Sequence, residues 1–166
     1  MKSMSLPKDI YSQRILELAA SIPRTRRLTR PEAMATAHSK LCGSTVTVDL
    51  TMKGDVVTDY GQTVRACLLG QTSASVMGRE VVGSSAAELR AVGAQMRKML
   101  KEGGPAPSGR WADLAVLEPV RDYKARHAST LLVFDAVEDA IAQIEAKRGE
   151  ARALKPQDHV SDIAAK

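Results

Sequence analysis

Apolar residues recur at helical spacing near the start of the chain, with Tyr11, Ile15, Leu18 and Ile22 at i, i+4, i+7 and i+11. This predicts a helix from about Pro7 to Ile22, stopped by Pro23, which lacks the backbone N–H needed to continue it. Pro23 to Pro31 reads as a basic, irregular connection. The period then changes to two. Thr45 to Leu50 alternates, with Val46, Val48 and Leu50 on one face and Thr45, Thr47 and Asp49 on the other. Lys53-Gly54-Asp55 supplies a turn, and Val56 to Ala66 reads as the returning strand, with Val56, Tyr60 and Val64 sharing a face. A short strand at Met34 to Ala37 completes a small antiparallel meander.

Helical signals dominate the rest. Gly70, Ser73, Ala74, Ser75 and Gly78 make a small-residue segment suited to a helix pressed against its neighbours. Ser85 and Glu88 form a capping-box signature ahead of Leu89, Val92, Met96 and Met99, and Gly103-Gly104-Pro105 ends that helix. Gly103 to Gly109 is a loop, and Trp111 to Leu117 is expected to be a short helix. From His127 to Lys147 a broad apolar face (Val133, Val137, Ala140, Ile141, Ile144) suits a helix packed on a sheet. Strands first and helices afterwards indicate an α+β fold: about three antiparallel strands against several helices, the last of them long. A single domain over residues 1–150 is expected, followed by a polar, disordered tail over 151–166.

The composition is that of a globular chain: 166 residues, 44% hydrophobic and 26% charged. No run of about 18 apolar residues is present, and Met1 to Asp9 lacks the apolar core of a secretory signal, so a cytoplasmic protein is expected. The net charge of +5 raises nucleic-acid binding, with Arg24, Arg26, Arg27 and Arg30 as its local support. Aromatics at 3% are too few for base-stacking platforms, so an acidic protein partner or a solvated loop suits these arginines better. No P-loop, dinucleotide fingerprint or Gly-X-Ser-X-Gly elbow occurs, which leaves Ser73 and Ser75 without a nucleophile's setting and gives no support to a hydrolase or dehydrogenase.

Chemistry therefore centres on the two cysteines, Cys42 and Cys67. In a reducing compartment they are thiols, open to three roles: buried apolar residue, metal ligand or nucleophile. They flank the hairpin, one at each outer end, so its closure brings them together. Cys42 precedes Gly43, which leaves room for a ligand to approach. If the next helix begins at Cys67, that thiol sits where a helix N-terminus concentrates positive potential.

The segments Cys42-Gly43-Ser44 and Cys67 to Met77 resemble the iron–sulfur scaffold proteins of the IscU, NifU N-terminal and SufU kind, which carry Cys-Gly-Asp at the first site and an Ala/Ser-rich run ending in Met after the second cysteine. The Tyr11 to Ile15 helix, the Pro23-Arg24 turn, Trp111 to Leu117 and Lys124 to Leu132 extend the likeness over residues 8–145, and the long stretch after Cys67 is similar to the SufU branch. The resemblance implies three cysteines and an aspartate around zinc or an iron–sulfur cluster. Here Ser44 takes the aspartate position, and Ser129 the third cysteine position. A hydroxyl is a poor partner for thiolates around such metals. His127 is a substitute ligand by chemistry, with a capping or surface role as the alternative, because residues two apart on a helix point about 200° apart. His38 is a weaker candidate, and His159 lies in the tail. Arg126 matches a family arginine, implying electrostatic support for a thiolate or persulfide, or else a surface ion pair. The implied partners are a cysteine desulfurase and cluster-accepting apo-proteins. Three functions stay open: a scaffold holding a metal or cluster through Cys42 and Cys67, a persulfide acceptor, and a metal-free adapter.

Overall fold

The computed structural model describes residues 12–165, with side chains described up to residue 151 and at 153. Residues 7–11 of the expected first helix, including Tyr11, and the side chain of His159 lie outside the described residues. Helix α1, Gln13–Ala20, starts behind Ser12, whose hydroxyl accepts from Ile15 N at 3.3 Å. It ends two residues before Ile22, and Ile15, Leu18 and Ala19 are buried.

Three antiparallel strands follow in the order β1 (Ala33–His38), β2 (Thr45–Lys53), β3 (Val56–Arg65). Cross-strand partners on the inner face are buried together, as in Val48 opposite Gln62 and Leu50 opposite Tyr60. The register shifts between Thr51 and Met52, pairing Met52 with Val57 and Thr51 with Asp59, so Thr58 is the extra residue of a bulge. This corrects the expected face of β3. Val57, not Val56, joins Tyr60 and Gln62 in the core, because the bulge reverses the alternation.

Both outer strands, or the residues beside them, make hydrogen bonds beyond the sheet. Gln62 N donates to Arg24 O at 2.9 Å and Val57 N to Ser84 O at 3.0 Å on the β3 side. On the β1 side Gln143 Nε2 donates to Met34 O and Lys147 Nζ to Glu32 O. The basic connection also folds back on the sheet. Arg27 pairs through two nitrogens with the buried Asp49, at 2.6 and 2.9 Å, and Leu28 N donates to the same carboxylate. Arg24 Nε bonds Gly78 O. Two of the four arginines that suggested an external partner are thus engaged within the chain.

Helix α2, Leu68–Glu80, is the small-residue segment, and its hydroxyls serve as docking groups. Ser75 Oγ bonds the carbonyl of Ser21, the C-cap of α1, and Thr72 Oγ1 lies 3.3 Å from Ile15 O in its first turn. Helix α3, Ala86–Glu102, has Ser85 as N-cap, accepting from Glu88 N, and Gly103 in the left-handed conformation at its end. Residues 111–117 are not α-helical; a 3₁₀ segment spans Gly109–Asp122. The sequence suits that winding: Trp111, Leu114, Leu117 and Val120 recur every third residue and are all buried, and Pro119 lacks an N–H for an α-helical ladder. Trp111 Nε1 donates to Glu88 Oε2, and this bond, then Arg110, holds the Glu88 carboxyl below its ordinary range. A single 3₁₀ turn, Lys124–Arg126, leads into α4, His127–Ala165. Its predicted face, Val133, Val137, Ala140, Ile141 and Ile144, is wholly buried in the core that the sheet, α2 and α3 share.

Candidate functional site

The site forms where three connections meet at one end of the sheet. His38 pairs with Thr45 across β1 and β2, so the intervening residues 39–44 close a tight loop. Ser39 N donates to Ser44 O and Gly43 N to Ser39 O, both at 2.8 Å, and Gly43 takes φ +72° to complete the reversal. Cys42 stands exposed on this loop, with open space beside Gly43. Thr45 in turn pairs with Arg65, which brings the chain after β3 alongside Ser44. Cys67 follows there as the N-cap of α2, half-buried.

Two buried serines join the thiols. Ser44 Oγ lies 3.0 Å from Cys42 Sγ and accepts from Cys67 N at 3.2 Å. Ser129, in the first turn of α4, accepts from Cys67 Sγ at 3.3 Å and donates to Arg126 O at 3.2 Å. Ser39 Oγ lies 3.5 Å from Cys42 Sγ. Gly70 permits this approach: a Cβ there would sit 2.8 Å from Ala66 Cβ and 2.9 Å from Ser129 O.

The hydroxyl of Ser44, then that of Ser39, lowers the Cys42 thiol to about 7, with a smaller contribution from Ser129 and partial burial opposing them. Ionised sulfur accepts the hydroxyl hydrogen bonds that stabilise it. Alkylation of Cys42, followed in a Cys67→Ser background, is accordingly expected to reach half its limiting rate near pH 7, with Ser44→Ala moving that midpoint upward. An unchanged midpoint in Ser44→Ala would remove Ser44 as the cause.

Cys42, Cys67, Ser44 and Ser129 are thus brought together. His127 is not part of this group. Its Nε2 lies 3.1 Å from both Val120 O and Arg121 O, at the end of the 3₁₀ segment, while Ser129 two residues on faces Cys67. This is the capping alternative, and it answers to the divergence of residues two apart on a helix. His38 is exposed and bonds Thr45 through Nδ1. Arg126 contributes its carbonyl, which accepts from Ser129 and Thr130; among the described residues its guanidinium has no ion pair. Ser39 and Gly70 are participants that sequence reasoning misses: Ser39 stands three residues before Cys42 with no motif to mark it, and the small-residue run around Gly70 indicates close packing but not its partner.

The N-terminal domain of a nitrogen-fixing NifU-like protein from Brucella abortus is 62% identical to this chain, with a TM-score of 0.85 over 86% of this chain and 99% of that one. The chain belongs to the NifU-like family of iron–sulfur scaffold proteins. An iron–sulfur cluster assembly scaffold protein IscU from Thermotoga maritima is 24% identical over 137 residues, 82% of this chain and 96% of that protein. A SufU structure from Fervidobacterium islandicum AW-1 shares the fold at 20% identity, with a TM-score of 0.73 over 81% of this chain and 98% of that one. No family model matches the chain.

In this NifU-like chain the donors do not fit a self-contained metal or cluster site. Among the described residues no three of His, Cys, Asp and Glu lie together as a metal would require, and the two hydroxyls beside the thiols are weak donors to a thiophilic metal. Also among the described residues, no helix is long and apolar enough to cross a membrane.

Proposed function

We propose that this NifU-like protein serves iron–sulfur cluster assembly as a sulfur acceptor, with Cys42 taking sulfur from the persulfide of a cysteine desulfurase. The observation that carries this is the setting of Cys42: exposed, beside an open glycine, with serine hydroxyls lowering its thiol to about 7. The thiolate is the nucleophile in such exchange, and a thiol with a pKa near ambient pH attacks best. The Cys42 thiolate attacks the outer sulfur of the donor persulfide. The donor's S–S bond breaks, its electron pair leaves on the donor cysteine, and Cys42 becomes the persulfide.

A second reading, a scaffold that carries a metal or cluster as cargo through Cys42 and Cys67, is favoured by Ser44, which touches both the Cys42 sulfur and the Cys67 backbone N–H, and by Ser129, which accepts from the Cys67 thiol. It needs donors from a partner to complete the ligand set. The test is incubation with a cysteine desulfurase and sulfur-labelled cysteine, alongside assays of zinc, iron and acid-labile sulfide. Label on Cys42, lost in Cys42→Ser, is expected. Stoichiometric metal with no transferred label would replace the acceptor with the scaffold, and neither would leave a metal-free adapter.

A further inference from the structure

We propose that Cys67 is the resolving thiol of this site: it attacks the inner sulfur of a persulfide on Cys42, closes a Cys42–Cys67 disulfide and expels hydrosulfide. The inference rests on Cys42 accepting sulfur, as proposed above, and adds how that sulfur leaves.

The two thiols occupy different positions in one pocket. Cys42 is exposed, so a sulfur added to it extends toward solvent beside Gly43, where nothing lies within 4 Å of a built Cβ. Cys67 is half-buried, with its backbone N–H donating to the same Ser44 that touches Cys42 and its thiol donating to Ser129. Thiol–disulfide exchange requires the attacking sulfur, the attacked sulfur and the leaving sulfur to line up. Attack from the interior on the Cys42 sulfur sends the leaving group outward.

The step balances without an external electron donor. One S–S bond forms between Cys67 and Cys42, and the bond from Cys42 to the outer sulfur breaks. The outer sulfur leaves with the electron pair and its proton as hydrosulfide, and the proton of the Cys67 thiol passes to solvent. The sulfur is reduced to the sulfide level and the two cysteines are oxidised to a disulfide. A dithiol reductant must then reopen the disulfide before another turn. Among the described residues no third soft donor joins the two thiols, and this chemistry needs none: two thiols are all it uses.

The test uses the full chain, anaerobic and with chelator present, loaded by brief exposure to a small-molecule persulfide (cysteine persulfide) and then desalted. The wild type is expected to lose the mass of the added sulfur, gain an intramolecular disulfide joining the Cys42 and Cys67 peptides, and release one sulfide for each disulfide formed. Cys67→Ser is expected to hold the persulfide on Cys42 at least about tenfold longer. A wild type whose persulfide persists as long as in Cys67→Ser, or which forms only disulfides between chains, overturns the resolving role and leaves the acceptor intact. No sulfur on Cys42 of Cys67→Ser, with the variant's circular dichroism unchanged, defeats the acceptor reading itself. The sulfide-to-disulfide ratio in the wild type tests the step without any variant.

Discussion

The double variant Ser44→Asp with Ser129→Cys is expected to bind Co²⁺ or Zn²⁺ at one ion per chain, at least about 100-fold more tightly than the wild type. The magnitude is a lower bound: loss of outer-shell support alone costs about 10–100-fold in metal affinity, and here donors themselves are added. Both positions already face the sulfurs, Ser44 at 3.0 Å from Cys42 Sγ and Ser129 at 3.3 Å from Cys67 Sγ. Each is buried, so a carboxylate or thiolate placed there is desolvated and directed at the pocket. Three thiolates and one carboxylate make a tetrahedral set that suits zinc, whereas two thiolates and two hydroxyls do not. Thiolate-to-cobalt charge-transfer absorption gives the stoichiometry and affinity directly. Equal binding by wild type and double variant would mean that the serines are not what limits the site.

The second large effect is expected at Gly70. Gly70→Val places its Cβ against Ala66 Cβ and the backbone oxygen of Ser129, neither of which can turn aside as a flexible side chain would. Overpacking of this kind costs about 1–3 kcal/mol, or a melting temperature lower by about 2–12 °C for a chain of this size. The start of α4 must also retreat from α2, which carries Ser129 away from Cys67. Gly149→Ala is the contrast. Nothing lies within 4 Å of a Cβ there, in the body of α4, and the change is expected to stabilise by up to about 1 kcal/mol through helix propensity. Thermal unfolding followed by circular dichroism separates the two; loss of the same size in both would show that the approach at Gly70 is not special.

What the sequence could reveal depended on how local each cause is. The alternation of Val46, Val48 and Leu50 marks a strand because its period is written in adjacent residues, and all three are buried. The convergence of Cys42 and Cys67 was legible for a related reason: a hairpin with a short turn has only one way to bring its ends together. The β3 face was misread because the extra residue at Thr58 leaves no trace in hydrophobicity, only in the pairing with β2. Residues 109–122 wind as 3₁₀ rather than α because a three-residue apolar repeat coincides with a proline, a pattern that a helical template absorbs unnoticed. Ser129 beside Cys67, and Gly70 as the position that lets it arrive, arise from the packing of α4 on α2, which lies 62 residues from Cys67 in sequence at Ser129. Likewise His127 has ligand chemistry, but the carbonyls left open at the end of the 3₁₀ segment hold its Nε2.

Release of sulfur by Cys67, carriage of a metal or cluster and the engineered metal site all require one property, two thiols within reach of each other in a single folded chain. Bridging by dibromobimane, which becomes fluorescent when both of its arms alkylate neighbouring thiols, measures that property. One bridged, fluorescent product per monomer is expected, joining the Cys42 and Cys67 peptides and absent from Cys42→Ser and from Cys67→Ser. Folded wild-type protein alkylated at each thiol separately, with no bridge between them, would contradict the shared pocket.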